Sequence, residues 1–292
     1  MDKVSQQPSI VNLVECPRDA MQGWKNFIPT QKKIEYINSL LKVGFYTIDF
    51  GSFVSPKAIP QMADTKEVLS NLELNNTSTK LLAIVANLRG AEEANSYDQI
   101  NYLGFPFSIS ETFQKRNTNS SIVDSLETVD EIQDLCKKTN KELVVYMSMA
   151  FGNPYGDEYN AQILYQWTKE IIERGIKTIS LADTVGVATP EQISSALNSL
   201  IPGYPAINFG VHLHSTQQNW KNKVEAAFNV GCNRFDGALK GIGGCPMAND
   251  ELVGNMNTEW MIRYFKEKNV LPELDLDALE KSLILAEEIF SV

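Results

Sequence analysis

Eight short apolar runs punctuate the chain, and most are followed by a segment with apolar residues at helical spacing. Residues 11–15, 46–50, 81–85, 102–109, 142–149, 178–182, 208–213 and 234–238 read as strands. They are five to eight residues long and mostly apolar, the pattern of strands covered on both faces. Between them, segments 30–42, 64–72, 90–96, 120–139 and 161–174 read as helices. The first carries Ile34, Ile37 and Leu41 on one face and stops at Gly44; 161–174 turns Leu164, Trp167 and Ile171 inward and stops at Gly175. Thr189-Pro190-Glu191-Gln192 is a helix start, with Thr189 as N-cap and Pro190 in the first turn. A further helix ends at Gly231, and helices at 258–268 and 276–290 complete the chain.

Strict strand–helix alternation predicts a parallel sheet, and eight units predict a closed (β/α)8 TIM barrel with a short helical C-terminal extension. The expectation is one domain over residues 1–292, with the barrel at 11–270 and the last helix at 271–292. An open doubly wound sheet would need a nucleotide fingerprint after an early strand, and Gly-x-Gly-x-x-Gly is absent.

Composition narrows the function classes. The formal charge is −10 over 292 residues, which argues against a nucleic-acid binder. Cys16, Cys136, Cys232 and Cys245 are widely spread, with no Cys-x-x-Cys pair, so a disulfide framework is not expected and a reducing compartment fits. No apolar run approaches the ~18 residues of a membrane span, and the first ten residues lack a signal-peptide core. The expectation is a cytoplasmic protein with no membrane partner.

In such a barrel the chemistry gathers where strands run into the following loops. The seventh strand ends in Val-His-Leu-His at residues 211–214, which holds both histidines of the chain. Residues two apart on a strand share a face, so both imidazoles project together near its carboxyl end. A pair of polar residues closing a strand is one reading; two ligands for a divalent metal is the other. Asp19 lies after the first strand and Asn255 beyond the eighth. With His212 and His214 they form an oxygen and nitrogen set without thiolate, which suits Mg²⁺ or Mn²⁺ better than structural zinc. Arg18 is placed to steady a developing oxyanion, to pair with Glu15, Asp49 or Asp183 inside the barrel, or to do both. Cys245 follows three glycines within four residues, consistent with a mobile loop or with a tight turn around a small buried thiol.

These residues bring a family into view. The chain resembles the 3-hydroxy-3-methylglutaryl-CoA lyases, metal-dependent barrel lyases related to Claisen-type synthases. The resemblance rests on Pro-Arg-Asp at 17–19, Ser-Phe-Val-Ser-Pro-Lys-x-x-Pro-Gln-Met at 52–62 and Ser-Glu-x-Phe-x-x-x-Asn at 110–117. Asp-Thr-x-Gly-Val at 183–187, Val-His-x-His at 211–214 and Gly-x-Gly-Gly-Cys-Pro at 241–246 follow in order. It implies Asp19, His212, His214 and Asn255 as metal ligands, and Arg18, Asp19, His212 and Cys245 as catalytic residues. Gln22, Lys25, Asp49, Asp183 and Thr184 are implied on the substrate side, with an acyl-CoA as substrate and a homodimer as assembly. Three features depart from the family pattern. Asp49 replaces a glutamate, Ser215-Thr216-Gln217-Gln218 replaces Asp-Thr-x-Gly, and the segment after Cys245 is more acidic.

The implied reaction is metal-dependent cleavage of 3-hydroxy-3-methylglutaryl-CoA to acetyl-CoA and acetoacetate, a step of leucine degradation. The alternatives are a related aldol or Claisen lyase or synthase acting on another acyl-CoA or 2-oxo acid, and a barrel that binds metal or acyl-CoA without turnover.

Overall fold

The computed structural model describes residues 10–244 and 253–291. Eight parallel strands close into a barrel in chain order, each paired with its sequence neighbours and the last with the first. They are β1 (Asn12–Glu15), β2 (Thr47–Ser52), β3 (Lys80–Ile84), β4 (Ile100–Ser108), β5 (Glu142–Ser148), β6 (Thr178–Ala182), β7 (Asn208–His212) and β8 (Arg234–Gly237). All eight predicted strands are present, and the bounds shift by two residues or fewer.

The helices are α1 (Pro17–Gln22), α2 (Thr30–Leu41), α3 (Thr65–Ser70), α4 (Leu88–Asn95), α5 (Glu111–Thr118) and α6 (Ile122–Thr139). After them come α7 (Ala161–Glu173), α8 (Pro190–Gly203), α9 (Trp220–Phe228), α10 (Thr258–Glu267) and α11 (Leu276–Phe290). Local signals explain several starts. α8 opens on a capping box, with Thr189 Oγ1 accepting from Gln192 N and the Gln192 side chain accepting from Thr189 N. α6 opens on the same device between Ser121 and Asp124. α11 lies against α2, where Ser282 Oγ meets Ser39 Oγ at 2.8 Å.

Two helices depart from the sequence reading. Residues 17–22 read as a loop but form α1, and α5 precedes the helix expected near residue 120. α5 holds a single apolar residue, Phe113, so no helical period shows there. α1 is set by Pro17 in its first turn, and α5 by Ser110, whose Oγ accepts from Phe113 N.

Alternation along the strands separates two apolar regions. A large cluster fills the space between strands and helices. A small one, Leu82, Val144 and Tyr146 with Ile84 and Tyr102, occupies part of the barrel interior. Gly104 sits against Leu82, Ile84 and Tyr146, where a Cβ would come within 3.1 Å of each.

Candidate metal centre

The site is assembled at the carboxyl ends of β1, β7 and β8. β1 runs directly into α1, whose first five residues are buried. That short turn carries Arg18 and Asp19 into the mouth of the barrel. Gln22 lies three residues after Asp19 on the same helical face, and its Nε2 donates to Asp19 Oδ1 at 2.7 Å. Arg18 Nη1 donates to the same oxygen at 2.9 Å.

His212 ends β7, and His214 follows with its ring centroid 5.4 Å from that of His212. Asp19, His212 and His214 each offer a ligand atom, all within 4.8 Å of one another. Asn255 joins them through an antiparallel bridge to His214. Its Nδ2 donates to Asp19 Oδ2 at 2.7 Å and to the Ile242 carbonyl at 2.9 Å. Both amide hydrogens are thus used, and among the described residues nothing donates to Asn255 Oδ1. Gly243 closes over this group with φ +105°. A Cβ there would lie 2.5 Å from Asn255 Nδ2 and 2.9 Å from the Asp19 carbonyl, so the close approach requires glycine.

The electrostatics suit a cation. Burial pushes the Asp19 carboxyl up, but Arg18, both histidines and the Asn255 amide outweigh it and hold Asp19 below its ordinary value. Burial and the neighbouring His212 push His214 down to about 3, so its ring is neutral and its lone pair available. Burial also acts to lower His212, but its hydrogen bond to Asp236 and the charges of Asp19 and Asp236 raise it above the ordinary value. One carboxylate, two imidazole nitrogens and one amide oxygen fit a divalent metal with coordination positions left open.

A second group, Cys16, His212 and Asp236, also brings three ligand atoms within 4.8 Å. It is less suited to bind. Burial, reinforced by Asp236, Asp49, Asp19 and Glu15, pushes the Cys16 thiol well up. Asp236 Oδ1 is held by Arg234 Nη1 at 2.8 Å, and Oδ2 faces His212 Nδ1 at 3.4 Å. Asp236 therefore orients the His212 ring through Nδ1, the arrangement common behind metal-bound histidines. Sequence reasoning passed over Asp236. The β7–β8 register, which pairs His212 with Asp236, is the signal that finds it.

The remaining expected residues divide. Arg18 Nε and Nη2 clamp the Asp49 carboxylate at 3.0 and 2.5 Å, so the ion-pair reading holds. Among the described residues three of its five N–H groups are engaged, which leaves two. Asp183 is buried with both oxygens occupied, Oδ1 by Ala188 N at 2.9 Å and Oδ2 by Lys223 Nζ at 2.6 Å. Thr184 Oγ1 accepts from Met149 N at 2.9 Å and pins the turn after β5. Lys25 is exposed between α1 and α2. Cys245 lies outside the described residues.

Relatives share this frame. The HMGL-like family model matches residues 11–284. A hydroxymethylglutaryl-CoA lyase of Bacillus subtilis is 32% identical over 273 residues, covering 93% of this chain and 90% of the relative. The cytoplasmic 3-hydroxy-3-methylglutaryl-CoA lyase of Rattus norvegicus is 34% identical over 89% of this chain and 75% of its own. Among solved structures, an HMG-CoA lyase of Acinetobacter baumannii in complex with coenzyme A and 3-methylmalate superposes with a TM-score of 0.89. It is 30% identical and covers 99% of this chain and 93% of that one. The B. subtilis HMG-CoA lyase structure gives 0.90 at 31% identity, over 97% and 94% of the two chains. The barrel, the polar cluster at its mouth and these matches lead to one conclusion: the chain belongs to the HMGL-like family.

Proposed function

We propose that this protein is a 3-hydroxy-3-methylglutaryl-CoA lyase, a carbon–carbon lyase that releases acetyl-CoA and acetoacetate. The carrying observation is the convergence of Asp19, His212, His214 and Asn255 beside Arg18 at the barrel mouth. It occurs in a chain about a third identical to hydroxymethylglutaryl-CoA lyases along nine-tenths of its length.

In this reading Asp19, His212, His214 and Asn255 hold a divalent ion, Mg²⁺ or Mn²⁺. Bound there, it would act as a Lewis acid toward the substrate's tertiary hydroxyl and a carboxylate oxygen. Three donors hold Asp19 as a carboxylate before reaction, and the base that takes the hydroxyl proton in this reading is Asp19 or a histidine of the site. The C2–C3 bond then breaks, its electron pair moving onto the thioester carbon skeleton as an enolate. Arg18 presents its two unused N–H groups to that enolate oxygen, and Asp49 fixes the guanidinium plane so that little reorganises as charge develops. Protonation of the enolate carbon completes acetyl-CoA, and Cys245 is the proposed donor. Gln22 and exposed Lys25 face the acyl-CoA side, together with Asp49, Asp183 and Thr184. The last two serve by holding loops rather than by direct contact. We further take the protein as one domain that works as a cytoplasmic homodimer in leucine degradation.

The test is acetyl-CoA and acetoacetate formation from 3-hydroxy-3-methylglutaryl-CoA with Mg²⁺, with Mn²⁺ and with chelator. Metal-dependent formation of both products in equal amounts is expected. Metal binding without either product would move the assignment to another acyl group.

A further inference from the structure

One fully buried cation plays no part in that reaction scheme. Lys223 lies on α9, 1% exposed, and its ammonium has three hydrogens and three acceptors. Nζ donates to Asp183 Oδ2 at 2.6 Å, to the His214 carbonyl at 2.8 Å and to the Gly186 carbonyl at 3.1 Å. A buried ammonium is tolerated only when paired and saturated, and this one is both. No hydrogen remains for a substrate, so Lys223 does not contact one.

Its acceptors lie under two of the four candidate ligands. The His214 carbonyl belongs to a ligand residue. The Gly186 carbonyl belongs to the turn after β6, which Asp183 braces by accepting from Ala188 N. Gly186 has φ +74° and backs onto Val253, whose side chain lies 2.9 Å from where a Cβ would stand. Val253 is two residues ahead of Asn255, and Ser215 N donates to the carbonyl of the intervening Gly254. The ammonium thus ties the end of β7 to the turn after β6, and that turn abuts the segment carrying Asn255.

Resting on the metal-centre reading above, we infer that Lys223 is a positioning residue that fixes the spacing of His214 and Asn255, and so sets the affinity of the site for its divalent ion. Partners one step behind metal ligands typically change metal affinity about 10- to 100-fold when lost.

The measurement is Mn²⁺ binding to metal-free protein by isothermal titration calorimetry. Lys223→Met alone strands the buried Asp183 charge and endangers folding. The primary variant is therefore Lys223→Met with Asp183→Asn, which removes both charges and keeps an oxygen for Ala188 N. The account expects its Mn²⁺ dissociation constant to rise about 10- to 100-fold while its circular dichroism matches wild type. Lys223→Gln with Asp183→Asn restores one N–H donor near the His214 carbonyl and should regain part of the loss. Wild-type affinity in the folded Met/Asn variant would overturn the inference and leave the metal centre standing. Absence of Mn²⁺ binding in wild type itself would instead overturn the metal-centre reading, and this inference with it.

Discussion

The barrel interior has two unlike halves. Across β3, β4 and β5 it is filled by Leu82, Val144 and Tyr146 with Ile84 and Tyr102, a small apolar plug. Across β7, β8, β1 and β2 it holds His212, Arg234, Asp236 and Asp49, capped by Arg18 and Asp19 from α1. Arg234 is the seam: it pairs with Asp236 and lies 5.9 Å from the centre of the Tyr146 ring. Buried ion pairs seldom stabilise a fold more than apolar residues of similar size would. The polar half is thus costly as packing, which points to it as the working half.

Breaking the two halves should give different phenotypes. The largest effect is expected from Asp19→Asn, which removes the one anionic ligand of the cluster. Steady-state assay should show kcat down by about 10³ or more, with thermal stability little changed. Leu82→Ala in the plug should do the reverse: chemical denaturation should show a loss of about 2–5 kcal/mol, while kcat per folded molecule stays within about threefold. Asp236→Asn should fall between them. Loss of the carboxylate behind His212 should weaken Mn²⁺ binding about 10- to 100-fold by calorimetry.

The smallest effect concerns Glu15, on the outer side of β1. It is fully buried and accepts from Leu239 N at 2.8 Å and Thr258 Oγ1 at 2.6 Å. Burial pushes its carboxyl from 4.5 up to about 8. Between those values the folded protein holds a proton that the unfolded chain has released, so Glu15 makes stability fall as pH rises through that window. Thermal melts from pH 5 to 8 should show Glu15→Gln losing less stability over the window than wild type does.

The same two halves explain what the sequence disclosed. The eight strands and the longer helices were readable because period and cap residues lie close together in the chain, as in Thr189-Pro190-Glu191-Gln192. The candidate ligands stood out in the sequence because His212 and His214 end an apolar run and Asp19 follows Pro17-Arg18. Asp236 and Lys223 were not. Each looks like an ordinary charged residue until β8 is laid beside β7 and α9 beside the turn after β6, contacts set by tertiary register alone. Asp183 carries the same lesson. Its motif suggested a substrate contact, and the structure adds that its two oxygens accept from Ala188 N and Lys223 Nζ, partners that tertiary register alone brings near.

The most direct test of the working half is anomalous diffraction from crystals soaked in Mn²⁺. The account predicts one strong peak per chain, bounded by Asp19, His212, His214 and Asn255. A peak between Cys16, His212 and Asp236, or none near either histidine, would contradict it.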